Sequence, residues 1–99
     1  MEAESATLLI IGRLQVKAEQ LAAFLDYARE VVEQERKVEG CVSFSILQDI
    51  NQADHFVMME QWRDQAALDQ HLKSEAFARN STKMESFFAT DAQWLEFDE

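Results

Sequence analysis

The stretch of sequence that decides the fold is VEGCVSFSILQDINQADHFVMMEQWRDQAALDQHL, residues 38–72. Apolar and polar residues alternate in it over residues 41–49 and again over residues 55–62, and a polar connection at residues 49–54 joins the two segments. Alternation with a period of two is typical of β-strands, and the short connection predicts an antiparallel hairpin. Asp64, just after the second segment, is a suitable N-cap for a helix.

The residues before the hairpin predict a strand and a helix. Residues 7–16 alternate like a strand, in which Gly12 indicates a bulge or the close approach of another part of the chain. Residues 18–38 carry one apolar stripe at helical spacing, and Gly40 ends this helix at a position suited to a positive φ. The carboxylates of the helix, Glu35 among them, are expected to form a solvated face.

The residues after the hairpin predict a second helix and a last strand. The inner face of the second helix is expected to carry Ala67, Leu68, His71 and Leu72. Ser74 is expected to cap another turn or two, whereas residues 80–86 are ambiguous between helix and loop. Residues 88–97 predict a strand in which Trp94, Leu95 and Phe97 are buried. In the first hairpin strand, Val42, Phe44 and Ile46 are expected to share one face.

The order β-α-β-β-α-β predicts a ferredoxin-like α+β fold, with four strands in one antiparallel sheet and the helices on one face. With 99 residues, the chain is expected to form a single domain over residues 1–99. The other sheet face also carries apolar side chains, and so short a chain has nothing left to cover them. We therefore expect a homodimer that packs its sheets face to face, a dimeric α+β barrel.

Charge and cysteine content exclude several classes of function. Lys and Arg number 9 against 19 Asp and Glu, a net charge of −10, which argues against nucleic acid and against anionic membrane surfaces as partners. Cys41 is the single cysteine, so an intrachain disulfide and a four-ligand Cys/His zinc site are excluded and a reducing cytoplasm is favoured. The acidic start of the chain predicts neither a signal peptide nor a spanning helix.

A set of ordered motifs runs through residues 38–80. These are Gly40 and Cys41 at the start of the second strand, Glu60 and Trp62 in a closing Glu-x-Trp, Asp64 before a helix, and His71 with Leu72 on that helix. This set resembles the antibiotic biosynthesis monooxygenase family of small dimeric α+β barrels, which includes quinol monooxygenases. The resemblance extends more loosely over nearly the whole chain through the order of strands and helices.

The resemblance implies a cofactor-free oxygenase that acts on quinols or anthrones and holds no metal. The family also includes an isomerase of a small phosphorylated sugar-like signal and relatives that degrade heme. The heme-degrading relatives resemble one another at positions that match Gly12, His71 and Ser81 here. Because the position that should supply a proximal histidine is Ser81, heme is not expected as a ligand.

His71 and Glu60 are the candidate catalytic residues. Imidazole titrates near neutral pH, and His71 lies on the apolar face of its predicted helix, so it is the candidate base. The alternative is a histidine at the edge of the core, bonded to a backbone carbonyl or to Glu60. Glu60 alternates with apolar neighbours, where a carboxylate needs a partner. It could orient His71 or a substrate hydroxyl, or pair with Arg13 or Arg63.

Five further residues are candidates for binding a substrate. Trp62 could stack on a flat aromatic ligand, and Phe44 and Met58 could line the pocket, although packing in the core is the simpler interpretation of all three. Arg13 could donate to an oxyanion, or be solvated or paired. Tyr27, the single tyrosine, could place its ring beside the apolar stripe and its hydroxyl in a cavity.

The leading hypothesis is a cytoplasmic homodimeric monooxygenase that oxidises a small quinol- or anthrone-like aromatic without a cofactor. The alternatives are a non-catalytic dimer that binds a small molecule or serves in stress, and an isomerase of a small carbonyl compound that uses His71 as a proton shuttle. The fold does not decide among them. An apolar cavity in which His71 meets a carboxylate favours the oxygenase, several cations favour a phosphorylated substrate, and a collapsed cavity favours a structural role.

Overall fold

The computed structural model describes residues 7–98, with all of their side chains except that of Asp98. The strands are β1 (Leu8–Gln15), β2 (Cys41–Gln48), β3 (His55–Trp62) and β4 (Gln93–Asp98), and the helices are α1 (Leu21–Glu35), α2 (Gln65–Leu72) and α3 (Glu75–Glu85). A single 3-10 turn, Ala18–Gln20, leads into α1. The ends of the expected domain, residues 1–6 and 99, lie outside the described residues, as does the acidic start.

The sheet confirms the ferredoxin-like prediction. Its strand order is β2-β3-β1-β4 and every neighbouring pair is antiparallel. Ile10 lies opposite Glu60 on β3 and opposite Glu96 on β4. Alternate residues of a strand point to opposite faces, so residues that are paired across β1 and β3 lie side by side on the same face. The helices cover one face of the sheet.

The ends of the helices follow local rules. The side chain of Asp64 caps α2 by accepting from the backbone N–H of Ala67 at 2.9 Å, and that of Ser74 caps α3 by accepting from Phe77 at 3.1 Å. Gly40 has φ of 87°, the left-handed conformation expected between a helix and a strand. Asp64 and Ser74 thus fix the starts of α2 and α3, and Gly40 lies in the turn that leads from α1 into β2.

Five expectations about the elements need correction. Helix α1 ends at Glu35, short of residue 38, and α3 extends to Glu85 through the region left ambiguous. The last strand begins only at Gln93; Phe88 makes an isolated β-bridge to Val16, and the other residues of 86–92 form turns and coil. A bulge between Cys41 and Ser43 interrupts β2, so Val42 does not share the face of Phe44 and is exposed. Leu72, at the end of α2, is exposed as well.

The core fills the space between the helices and the sheet. Trp62, Phe24 and Val16 are its fully buried large side chains, and the rings of Phe24 and Phe56 have centroids 4.8 Å apart. The opposite sheet face carries apolar side chains that are half-buried or exposed: Leu9, Ile11, Leu47, Val57, Met59 and Phe97. Within residues 7–98, no helix has the length and apolar character that a bilayer span requires.

Candidate active site

A cavity of about 790 Å³ lies between the sheet and the helices, within the size range of small-molecule sites. Its walls come from all four strands and all three helices. Most of the lining is apolar, contributed by Ile10, Val31, Phe44, Met58, Leu68, Phe77, Met84, Phe88 and Trp94. The buried polar groups among its lining are Glu35, Glu60 and His71. The cavity is therefore an apolar chamber with one ionisable cluster.

Glu60 enters the chamber from β3, whose alternation turns it inward beside Met58 and Trp62. The indole Nε1–H of Trp62 donates to Oε1 of Glu60 at 2.8 Å, which gives the buried carboxylate one partner. Burial is the main influence on this group and raises the pKa of Glu60 above its ordinary value, and the neighbouring Glu35 acts in the same direction. The Trp62 hydrogen bond and His71 partly offset this rise.

His71 enters from α2 and is held on three sides. Its ring stacks on Trp62 with centroids 4.6 Å apart and an interplanar angle of 24°, and it meets the ring of Phe77 edge-on at 5.1 Å. Its Nε2 lies 2.9 Å from Oε1 of Glu35, and both side chains are about nineteen-twentieths buried, at 5% and 6% exposure. Oε1 of Glu35 has no hydrogen-bond partner among residues 7–98, so the two groups are in close contact without an aligned hydrogen bond.

The other ring nitrogen of His71 is unsatisfied. Nδ1 is buried and has no hydrogen-bond partner among residues 7–98. Buried polar atoms in folded proteins are nearly always hydrogen-bonded, so an orphaned one beside a cavity indicates a place for a ligand. A carboxylate at Nε2 favours the tautomer that carries its proton there, which leaves the lone pair on Nδ1.

Glu35 is the site residue that the sequence analysis missed. We expected it on a solvated helix face; instead it is buried at the end of α1 and contacts His71. Phe24, Ala28, Val31 and Glu35 follow one another at steps of four, three and four residues and are all buried. This spacing was the signal that could have revealed it, because position 35 continues the inward stripe of the helix.

The structure brings together four of the predicted site residues and places a fifth behind them. His71, Glu60, Phe44 and Met58 all line the cavity. Trp62 does not line it; it lies beneath His71 and Glu60, completely buried, so its ring supports the catalytic candidates and does not face the cavity.

Tyr27 and Arg13 lie outside the cavity lining. The Tyr27 hydroxyl donates to Oδ1 of Asn80 at 2.8 Å, and burial raises the pKa of Tyr27, so its hydroxyl serves to anchor α3 to α1. Arg13 is exposed and alternates with the inward residues of β1, which places it on the opposite sheet face. Neither side chain is among the residues that line this cavity.

Trp94 stands at the open side of the cavity, where we had expected a buried core residue. It is 51% exposed and lines the chamber from β4. A Cβ on Gly12, its neighbour across β1, would overlap Cζ3 of the indole. The close approach suggested by Gly12 is therefore the indole of Trp94, which packs one side against the bare backbone of β1.

Two features limit other chemistry at this site. Within residues 7–98, no three His, Cys, Asp or Glu side chains are grouped so that they could hold a metal ion. Burial, with Glu35 and Glu60 nearby, raises the pKa of the Cys41 thiol to about 11. A thiol with so high a pKa is almost entirely protonated at neutral pH and is a poor nucleophile.

Comparisons with known proteins identify the family of this chain and others that share its fold. The family model described as antibiotic biosynthesis monooxygenase matches residues 7–82. A crystal structure of an antibiotic biosynthesis monooxygenase is 30% identical, with a TM-score of 0.85, covering 93% of this chain and 97% of the other. A cofactor-independent oxygenase from Streptomyces nogalater, SnoaB, shares the fold at 16% identity, with a TM-score of 0.84 and coverage of 95% and 93%.

A curated relative, an uncharacterized protein from Synechocystis, sll1783, is 28% identical over 86 residues. The alignment covers 87% of this chain but only 58% of the relative. The chain thus spans less than two thirds of that protein's length.

Proposed function

Because the chain belongs to the antibiotic biosynthesis monooxygenase family, we propose that it is a cofactor-independent monooxygenase of a small quinol- or anthrone-like aromatic compound. The observation that carries the proposal is the buried His71 beside an apolar cavity. It contacts Glu35 through Nε2, and its Nδ1 has no hydrogen-bond partner among the described residues. A base with one nitrogen held and the other free is the arrangement that proton abstraction requires.

The reaction begins with proton transfer from the substrate to Nδ1 of His71. The resulting phenolate or carbanion passes one electron to O₂, and the substrate radical and superoxide combine to form a C–O bond. The peroxide takes the proton back from His71. Loss of water then breaks the O–O and C–H bonds and leaves a carbonyl. The product has one more oxygen and two fewer hydrogens than the substrate, and the second oxygen atom leaves as water.

Glu35 and Glu60 have different parts in this scheme. Glu35 lies against the nitrogen opposite the reacting one, so its negative charge stabilises the imidazolium that forms. Glu60, held by Trp62, supplies an acceptor for a second substrate hydroxyl. The apolar walls, Phe44 and Met58 among them, keep water from the anionic intermediate and admit O₂, which is itself apolar.

The content of the cavity favours this function over the alternatives. A chamber of about 790 Å³ is open, not collapsed, which weighs against a purely structural role. Among the described residues, no Lys or Arg lines it, which weighs against an isomerase of a phosphorylated compound. An isomerase of an uncharged carbonyl compound would use the same histidine and remains the second candidate.

We also propose that the active form is a homodimer in the cytoplasm, joined through the apolar sheet face opposite the helices. Met59 lies centrally on that face, on β3 between β1 and β2. Met59→Lys is expected to convert a species of twice 11.4 kDa into a monomer, measured by light scattering after gel filtration. A wild-type monomer would contradict the dimer. The expectation of no nucleic acid, membrane or heme partner remains a prediction.

Oxygen uptake tests the function. The purified chain, freed of metal by a chelator, is mixed with 1,4-naphthohydroquinone and compared with the autoxidation of the quinol alone. We expect uptake above that background, a fall of about 100-fold for His71→Ala, and no change for His55→Ala, which removes the chain's other histidine from a partly exposed pair with Asp54. Thermal melts check that both variants fold. Uptake equal to autoxidation would refute the oxygenase, and exchange of a substrate proton without uptake would favour the isomerase.

A further inference from the structure

The ionisable side chains that line the cavity are five carboxylates and His71. Glu35 and Glu60 lie inside, and Glu85, Asp91 and Glu96 are exposed at the open side. Among the described residues, no lysine or arginine lines the cavity to balance them. The whole chain carries a net charge of −10, so the surroundings add to this negative potential and do not cancel it.

Glu85, Asp91 and Glu96 form an acidic rim, and two other features of the same cavity point to a ligand. Nδ1 of His71 has no hydrogen-bond partner in the described part of the chain, and the side chain is only 5% exposed. Trp94 packs against Gly12 on one side and is 51% exposed, so a large aromatic surface remains open at the rim. A half-exposed indole fixed by a close backbone contact is suited to stack on a flat ring.

We infer that the cavity selects flat aromatic compounds without an anionic group, with one ring stacked on Trp94 and the acidic rim rejecting carboxylated, sulfonated or phosphorylated analogues. The inference rests on the proposed function in taking the same cavity as the substrate site, and it narrows the substrate class to neutral or cationic aromatics. Trp94 is the residue that grips the ring, and Glu85, Asp91 and Glu96 are the residues that exclude the anion.

The size of the effect follows from simple electrostatics. Each rim carboxylate about 8 Å from a ligand anion, in a medium close to water, disfavours it by a factor of roughly two, so three together give about ten-fold weaker binding. Because the rim is exposed, added salt screens this repulsion, and the ratio should shrink at roughly 0.5 M NaCl. Loss of the stacking surface should weaken binding about ten-fold for every ligand, whatever its charge.

Isothermal titration calorimetry with three naphthalene probes tests the inference without requiring turnover. The probes are 2-naphthol, 2-naphthoate and 2-naphthylmethylamine, which are neutral, anionic and cationic at neutral pH. We expect 2-naphthoate to bind about ten-fold more weakly than 2-naphthol, and the amine to bind at least as tightly as 2-naphthol. Binding of the naphthoate as tight as that of the naphthol would overturn the inference, and so would no heat from any probe at about 1 mM.

Matched variants separate the ring contact from the rim. Trp94→Ala should weaken all three probes about ten-fold, and Trp94→Phe should stay within about three-fold of wild type. Ile50→Ala, an apolar change in the exposed turn between β2 and β3 and outside the cavity, should have no effect. Equal binding by Trp94→Ala and wild type would remove Trp94 from the site.

A double variant of the rim can be compared with a control variant that changes the net charge by the same amount. Glu85→Gln with Glu96→Gln should bring the binding of 2-naphthoate about four-fold closer to that of 2-naphthol, whereas Glu30→Gln with Glu33→Gln, on the exposed side of α1, should leave the ratio unchanged. Equal effects of the two double variants would show that only net charge matters and would refute the rim. Oxygen uptake is measured separately, so a chain that selects the probes but consumes no oxygen would refute the proposed reaction alone.

Discussion

Glu35→Gln removes one charge from the candidate site and almost nothing else. Gln has the shape of Glu and keeps an oxygen that can occupy the position of Oε1, which lies 2.9 Å from Nε2 of His71 in the wild-type chain. Two unit charges about 3 Å apart attract by roughly 5 kcal/mol at an effective dielectric constant near 20. Desolvation of the buried pair offsets about half of this, which leaves about 2.5 kcal/mol for stabilising the imidazolium. At 1.36 kcal/mol per factor of ten, kcat should fall by roughly 70-fold.

The assay is steady-state oxygen uptake with 1,4-naphthohydroquinone, together with a thermal melt of each variant. Glu35→Gln should lose kcat while its melting temperature stays within about 3 °C of wild type, since the packing is unchanged. Glu35→Asp should recover part of the lost kcat because it restores the charge. Glu33→Gln, the same change at an exposed position of α1, should match wild type. Wild-type kcat in Glu35→Gln, combined with a lower melting temperature, would show that Glu35 serves only the fold and would refute the reasoning.

Three further predictions concern stability. Burial raises the pKa of Glu60 above its ordinary 4.5, so the stability that the protonated form contributes is complete below about pH 4.5 and is lost as the pH rises through the raised pKa. Glu60→Gln should therefore be more stable than wild type near pH 7 and equally stable below about pH 4. Thermal melts across this range would contradict the reasoning if the variant were less stable throughout. Gly40→Ala places a side chain at a φ of 87° and against Cβ of Ala67, and should lower the free energy of unfolding in urea by about 3 kcal/mol. Adding Ala67→Gly should restore only the part caused by the overlap; full restoration would exclude backbone strain. Tyr27→Phe loses the hydrogen bond to Asn80 and should cost about 1 kcal/mol, and an unchanged unfolding midpoint would show that this bond does not hold α3.

The sequence was sufficient for the order of elements because the signals for them are local. The hairpin strands alternate with a period of two, Gly40 has the expected positive φ just before β2, and Asp64 and Ser74 are capping residues that the structure uses as expected. Such signals depend on a residue and its near neighbours along the chain, so they survive without knowledge of the tertiary structure.

The misplaced elements depend on contacts from elsewhere in the chain. The second half of α3 is a polar run, and only widely spaced inward residues such as Met84 reveal its face; its helix is held by the bond from Tyr27 to Asn80. A β-bulge turns Val42 outward, and no residue type near it predicts that bulge. Tryptophan is a residue type that is usually found in the core, but Trp94 lies on β4 at the edge of the sheet and is therefore half-exposed.

The identity of Glu35 is easier to explain by chemistry than by folding. A glutamate at the buried end of an apolar stripe, close to a second buried carboxylate at Glu60, costs desolvation energy that Met or Leu at the same position would avoid. Its contact with His71 offsets this cost best when the imidazole is protonated, which is the state that the proposed reaction forms once the histidine has accepted a proton. A pair that stabilises a reaction intermediate better than the resting fold is the pattern that catalysis requires and that stability alone would not select.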